Sequence, residues 1–173
     1  MSELLRPLLA VSLHALTLSA SLPAVATRVP VVFHVAGGEH GSVAERDRIE
    51  QWVAVANGHF AAAGIEFRIG RVAEGEGHAS ITAVAERHTL AAHAPRDGTL
   101  HVFVAATVAD KDDPRQDING VHWRYEGSRR AWLGRRYVIL AAAHAREDTL
   151  AHELGHWFGL SHRTAVDNLM TAP

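Results

Sequence analysis

The sequence predicts a single α/β or α+β domain, in which one sheet of about five strands packs against two main helices. Three observations predict it: short segments rich in β-branched residues, two stretches with helical spacing of apolar residues, and the order in which these segments follow one another. The length of 173 residues suits one domain of ordinary size. A composition of 47% hydrophobic and 21% charged residues excludes a disordered or fibrous protein.

Five segments carry strand patterns. The first is β-branched and ends before a glycine pair, the second alternates apolar and polar residues, and the third is apolar enough to be central. The segments are residues 28–35 (RVPVVFHV), 65–72 (IEFRIGRV), 99–108 (TLHVFVAATV), 120–125 (GVHWRY) and 137–142 (YVILAA). Residues 79–93 are ambiguous and fit a short helix, and residues 110–119 form an acidic loop.

Two segments carry helix patterns. Ser42 and Glu45 have the spacing of a capping box, so we expect the first helix to begin there. Apolar residues then recur at steps of three and four as far as Ala63, and Gly64 has the backbone freedom that ends a helix. The second helix is predicted from about residue 147 to 158.

Residues 1–26 have the pattern of a secretory signal peptide, followed by a single domain over residues 27–173. Arg6 precedes an apolar run over residues 8–18, and residues 24–26 (AVA) provide the small side chains that signal peptidase requires. The run is too short to span a bilayer permanently, so we expect no stable membrane insertion. The prediction is a secreted or periplasmic protein; the plainer interpretation is an N-terminal core helix.

Charge and cysteine content narrow the chemistry. Lysine and arginine (17) nearly balance aspartate and glutamate (19), so no nucleic-acid partner is expected. The absence of cysteine excludes disulfides, thiolate ligands and a thiol nucleophile. Imidazole, present 13 times, is therefore the nitrogen or sulfur ligand available to a borderline metal.

The segment HELGHWFGLSH, which begins at His152, carries the chemistry. On a helix, His152 and His156 are one turn apart, about 6 Å along the axis, so both rings can reach one ion. Glu153 is rotated by about 100° and stands beside the ion instead of binding it. Gly159 lets the chain leave the helix and return His162 as a third ligand. Three protein ligands leave one tetrahedral position open, which is typical of a catalytic zinc site.

This segment resembles the zinc-binding signature of the metzincin metallopeptidases, and Met170, a few residues after His162, resembles their methionine turn. The number of residues between His162 and Met170 is similar to that in the matrixins. The resemblance implies that His152, His156 and His162 bind one Zn²⁺. It also implies that Glu153 is the general base and acid, and that Met170 forms an apolar floor under the metal.

The order of strands and helices from about residue 28 resembles the N-terminal subdomain of the same family. The resemblance implies a mixed, twisted sheet with an antiparallel edge strand, packed on two long helices. The fourth predicted strand would be this edge, to which an extended protein or peptide substrate adds itself by main-chain hydrogen bonds. Its candidate substrate-binding residues are Gly120, Val121, His122 and Trp123.

The predicted function is that of a secreted zinc metalloendopeptidase, which hydrolyses peptide bonds through a zinc-bound water activated by a glutamate. The alternative is a non-catalytic zinc-binding or peptide-binding module related to the metzincins. This alternative rests on the end of the sequence at Pro173, where the family normally continues into a segment that walls the first primed-side pocket. A third interpretation, a structural domain without metal, requires the motif to be accidental.

Three further clusters have a functional and a plainer interpretation. The acidic loop could bind Ca²⁺, but Pro114 and the irregular spacing do not fit an EF-hand, so a solvated loop is favoured. Four other histidines could hold a second zinc, but no tight spacing supports this. Five arginines around the fourth and fifth strands could attract acidic substrate side chains; a solvated hairpin that discourages edge pairing is favoured. The clusters are Asp110, Asp112, Asp113, Asp117 and Asn119; His78, His88, His93 and His101; and Arg124, Arg129, Arg130, Arg135 and Arg136.

Overall fold

The computed structural model describes residues 26–38, 41–75, 78–165 and 168–171. The predicted signal peptide, apart from its last residue, lies outside this part of the chain. None of the helices in the described residues is both long enough and apolar enough to cross a membrane.

A five-stranded mixed sheet forms the centre of the fold. In chain order its strands are β1 Thr27–Val35, β2 Ile65–Glu74, β3 Leu100–Ala105, β4 Gly120–Arg124 and β5 Arg136–Ala141. They lie side by side in the order β2-β1-β3-β5-β4. Only β4, at one edge of this sheet, runs antiparallel to its neighbour. The predicted mixed sheet, with the fourth strand as an antiparallel edge, is therefore confirmed.

The two central strands are covered on both faces. All six residues of β3 and five of the six residues of β5 are buried, which is typical of parallel strands between two layers of structure. Helix α1 (Arg46–Phe60) and helix α3 (Thr149–Trp157) cover one face. Helix α2 (Val84–Thr89) leads into a 3₁₀ turn, Leu90–His93, that packs on the other face. The two main predicted helices correspond to α1 and α3.

The start of α1 differs from the predicted capping box. Ser42 pairs with Gly37 in a two-residue ladder, and its hydroxyl donates to the carbonyl of Ala44 at 3.0 Å. The hydroxyl thus closes the preceding turn, and its oxygen accepts no bond from the first helical N–H groups. The helix begins at Arg46 with Glu45 at the N-cap, and no side chain caps it. The predicted capping box is therefore wrong.

Two other boundaries also differ in detail. The predicted third strand is interrupted after β3, because Thr107–Val108 pairs with Ser80–Ile81 instead of continuing in the main sheet. Gly64 adopts a positive φ of 66°, as its predicted role requires, but it follows an intervening 3₁₀ turn, Ala61–Ala63. The regular helix therefore ends at Phe60, and the chain changes direction one turn later, at Gly64.

Helix α1 fixes the position at which α3 begins. The indole N–H of Trp52 donates to the carbonyl of Arg146 at 3.0 Å, and Arg48 donates to the preceding carbonyl at 2.7 Å. From the other side, a Cβ added to Gly120 of β4 would lie 2.9 Å from Cγ2 of Thr149. Glycine at this position thus allows β4 to lie directly against the first turn of α3.

Two buried histidines form a polar contact between β1 and β3. His34 and His101 are 6% and 5% exposed, and Nε2 of His34 lies 3.1 Å from Nδ1 of His101. The ring of His34 also stacks on Phe103, with centroids 4.5 Å apart. Burial, and then the neighbouring imidazole, lower the pKa of His101 below its ordinary value. The fold therefore favours the neutral form of His101, although Asp97, 3.6 Å from its Nε2, acts in the opposite direction.

Acid should destabilise the fold through this histidine. The unfolded chain protonates His101 near the ordinary pKa of 6.5, whereas the folded chain does so only at lower pH. The unfolded state then binds more protons below about pH 6.5, so the free energy of unfolding falls as the pH falls. We expect His101→Phe, which keeps a ring without a titration, to lose less stability between pH 8 and pH 5.5. Urea unfolding of the metal-free proteins measures this, and equal losses in both proteins would contradict it.

Candidate metal centre

Helix α3 presents two imidazoles on one face, and the chain beyond it returns a third. Nε2 of His162 lies 3.2 Å from Nε2 of His152 and 3.1 Å from Nε2 of His156. Nitrogen ligands of a tetrahedral zinc, with bonds of about 2.0–2.1 Å, lie about 3.3 Å from one another. The three predicted ligands therefore lie at ligand spacing and could hold a metal ion. In the described part of the chain, His152, His156 and His162 form the group of possible metal ligands whose ligand atoms all lie within 4.8 Å of one another.

Backbone carbonyls set the tautomer of two of these rings. Nδ1–H of His152 donates to the carbonyl of Leu169 at 2.7 Å, and Nδ1–H of His156 donates to the carbonyl of Leu160 at 2.8 Å. Since a carbonyl only accepts, the proton of each neutral ring is on Nδ1 and the lone pair is on Nε2. Two lone pairs thus face the same point, where a cation would satisfy both of them.

The end of α3 is a Schellman motif that turns the chain back. Gly159 has a φ of 88°, and its N–H donates to the carbonyl of His156 at 2.9 Å. The N–H of Leu160 donates to the carbonyl of Gly155, also at 2.9 Å. Because these two bonds satisfy carbonyls at the end of the helix, the reversal is well defined and brings His162 next to α3. The predicted role of Gly159 in ending the helix is confirmed.

Met170 lies under α3 and is 3% exposed. A Cβ added to Gly155 would lie 2.2 Å from Sδ of Met170, so the missing side chain makes room for the methionine. The N–H of Arg163, next to the third imidazole, donates to the carbonyl of Met170 at 2.8 Å. The same turn supplies the Leu169 carbonyl that orients His152. The turn is therefore hydrogen-bonded both to α3, through His152, and to the segment that carries His162, through Arg163.

Glu153 is buried beside the imidazoles, with 6% of its surface exposed. Its Oε2 accepts the backbone N–H of His122, on the edge strand, at 2.6 Å. Burial raises the pKa of Glu153 to about 7, although the bond from His122 acts in the opposite direction. A carboxyl group with this pKa is suited to exchange a proton near neutral pH.

An open cleft joins the edge strand to the histidines. Gly120, Val121 and His122 line it together with all three imidazoles and Glu153. Trp123, the remaining edge-strand candidate, does not line the cleft. Its indole lies on the opposite face of the sheet, under the guanidinium group of buried Arg87 at 4.8 Å. The alternation of side chains along a strand explains this separation.

Trp157 and Arg136 lie outside this cleft, behind His122, and Trp157 had no predicted role. The ring of His122 packs edge-on against Trp157, with centroids 5.8 Å apart, and the guanidinium group of Arg136 lies 4.6 Å from the same indole. Arg136 also donates to the carbonyl of Trp157. Burial, and then the charges of Arg136 and His156, lower the pKa of His122 to about 4, so this ring is neutral near pH 7.

The acidic loop is folded by its own hydrogen bonds. Oδ1 of Asp110 accepts the N–H groups of Asp112 and Asp113 at 2.6 and 3.1 Å. The carboxylate of Asp113 accepts bonds from Arg115 and Gln116, at 2.8 and 3.0 Å. These bonds lower the pKa values of Asp110 and Asp113. The solvated loop, which the sequence favours over a calcium site, stays a prediction.

No protein-family model matches the chain, and no curated protein has a detectably similar sequence. Solved structures do share its fold. Metalloproteinase-II from Bacteroides fragilis is 14% identical, with a TM-score of 0.51, over 88% of this chain and 48% of that one. Mirolysin, solved in complex with a compound, is 17% identical, with a TM-score of 0.53, over 84% of this chain and 67% of that one.

A chain in a chaperone–substrate complex is 13% identical, with a TM-score of 0.53, over 83% of this chain and 25% of that one. The present chain thus spans about half the length of the Bacteroides metalloproteinase. At these identities the similarity shows a common fold.

The contact between Gly155 and Met170 predicts a coupled pair of substitutions. Gly155→Ala should lower the free energy of unfolding by about 1–3 kcal/mol, because the new methyl group displaces the methionine from a packed site. It should also weaken zinc binding, since the displaced turn carries the carbonyl that orients His152. Adding Met170→Ala should recover part of both losses.

Urea unfolding and zinc competition with a chelator measure the two effects. Gly58→Ala is the matched control, because nothing lies within 4 Å of a Cβ added there and alanine favours its exposed position in α1. Wild-type stability and zinc affinity in Gly155→Ala would contradict the account.

Proposed function

We propose that this chain is a zinc-dependent endopeptidase, in which His152, His156 and His162 hold the metal and Glu153 is the general base and acid. The observation that carries the proposal is the convergence of three Nε2 atoms beside a buried carboxyl group. The donor set fits zinc, because neutral imidazole is a preferred ligand and three protein ligands are typical of a catalytic site. Met170 supports the site from below.

Zinc held at this point would supply Lewis acidity, which polarises a peptide carbonyl and makes water acidic enough to attack it near neutral pH. The carboxylate of Glu153 accepts a proton from the attacking water and later delivers it to the leaving amine. The bond from His122 to Oε2 fixes the base relative to the edge strand.

The proposed substrate is an extended segment of a protein or peptide. One side of β4 pairs with β5, and the other side lies at the edge of the sheet. An edge strand offers main-chain donors and acceptors to an added strand. Gly120, Val121 and His122 would thus align the substrate with Glu153, since they line the same cleft. Export through a signal peptide over residues 1–26 belongs to the same proposal.

The test combines zinc content with cleavage of an unfolded protein. We expect one zinc per chain, and cleavage that a chelator abolishes and added zinc restores. Glu153→Gln should lower kcat/KM by about 10²- to 10⁴-fold, because it removes proton transfer, and should retain zinc. Glu50→Gln is the matched control, since Glu50 is exposed on α1 and pairs with Arg46 at 2.8 Å.

The outcomes separate the interpretations of the site. Wild-type activity in Glu153→Gln would contradict the role of this residue as the base. Zinc without cleavage in the wild-type protein would support the non-catalytic binding module instead. A wild-type protein that binds no zinc would reject both the enzyme and the module.

A further inference from the structure

Arginines without carboxylate partners surround the end of the edge strand. Residues 124–136 contain five arginines and one glutamate, although the whole chain has a net charge of −2. In the described part of the chain, none of these arginines lies within ion-pair distance of a carboxylate, and neither does nearby Arg96. The positive charge is therefore a local property of this surface.

Two of these arginines lie on the sheet face that carries the metal centre. Arg124 and Arg136 are register partners on β4 and β5. Because alternate residues of a strand share a face, Arg124 lies on the same face as His122 and Gly120. His122 and Arg136 both pack on the indole of Trp157, at the end of α3. Gly120 thus lies against the first turn of α3 and His122 against its last residue, and Arg124 is the next β4 residue on this face.

The guanidinium groups retain unused donors. Arg124 is exposed, and its side chain makes no hydrogen bond within the described residues. Nε of Arg136 is buried and has no partner, while its Nη2 donates to Trp157. Nη2 atoms of Arg96 and Arg124 both approach Gly134, so the two cations face the same small volume. Burial, and then the charge of Arg124, lower the pKa of Arg136.

A groove beyond the end of α3 is lined by two of these cations, Arg96 and Arg136, and Arg124 approaches it at Gly134. Its lining includes Arg96, Gly134, Arg136, Trp157 and Phe158, so cations and aromatic rings lie side by side. Like charges held together repel one another until an anionic group provides the opposite charge. Guanidinium groups present planar pairs of donors that fit a carboxylate.

We propose that Arg96, Arg124 and Arg136, the arginine patch, select substrates with acidic residues on the N-terminal side of the cleaved bond. This inference rests on the proposed function. A substrate that pairs antiparallel with β4, as β5 does, runs opposite to β4. Since Glu153 is bonded to His122, the cleaved bond lies near His122. Strands advance about 3.3 Å per residue, so Arg124 faces the second or third substrate residue before that bond.

The test uses peptides that the wild-type protein cleaves at one mapped bond. They differ only in the second and third residues before that bond, which are Glu-Glu, Gln-Gln or Lys-Lys; a fourth peptide carries Glu-Glu after the bond. We expect kcat/KM for the Glu-Glu peptide to exceed that for Gln-Gln by about three- to tenfold. Salt at 0.5 M should reduce this ratio by screening.

Charge substitutions in the patch should change the ratio. Arg124→Gln should bring it close to one, and Arg124→Glu should reverse it in favour of Lys-Lys. Arg68→Gln is the matched control, because it removes the same charge from β2, at the opposite edge of the sheet, and should keep the wild-type ratio. Fluorescence anisotropy with the zinc-loaded Glu153→Gln protein measures binding of the same peptides without turnover.

Three results would overturn the inference: equal rates and affinities for Glu-Glu and Gln-Gln, an unchanged ratio in Arg124→Gln, or a preference for acidic residues after the bond. Equal values would favour the plainer role of the arginines, which is to discourage pairing at the sheet edge. A wild-type protein that cleaves none of the peptides would reject the proposed function instead, and the anisotropy comparison would still decide whether the patch binds acidic peptides.

Discussion

The placement of imidazole lone pairs around one point is the constraint on which the rest of the structure depends. His152 and His156 give their Nδ1 protons to backbone carbonyls, so their Nε2 lone pairs face His162 at 3.1–3.2 Å. With the proton of His162 on Nδ1, a cation at this point would satisfy all three lone pairs. The neighbouring structure serves this geometry: α1 fixes the start of α3, Gly159 reverses the chain, and the Met170 turn supplies a carbonyl.

The edge strand and Glu153 form one unit. Burial removes water from the Glu153 carboxylate, and the raised pKa of this group reflects that desolvation. Its hydrogen-bond partner is the main-chain N–H of His122, on the strand that would align a substrate. The side chain of the same residue, His122, packs on Trp157, which in turn lies under Arg136. The three imidazoles, Glu153 and Arg136 are therefore linked through β4, β5 and α3.

Local patterns were sufficient for the strands, for the apolar stripe of α1 and for the spacing of His152 and His156. They failed at two boundaries: no side chain caps α1, although Ser42 has the spacing for it, and Thr107–Val108 pairs with Ser80–Ile81 instead of extending β3. The antiparallel edge came from the family resemblance. The contacts of Trp157 with His122 and Arg136 depend on packing between distant segments, although the alternation along β4 could have placed Arg124 on the same face as His122.

X-ray absorption at the zinc K-edge of the loaded protein tests the central claim most directly, because it reports the atoms bound to the metal and recognises imidazole rings by their multiple scattering. The account predicts four light ligand atoms at about 2.0–2.1 Å, of which three belong to imidazoles. A spectrum that requires fewer than three imidazoles, or six oxygen ligands at longer distances, would contradict it.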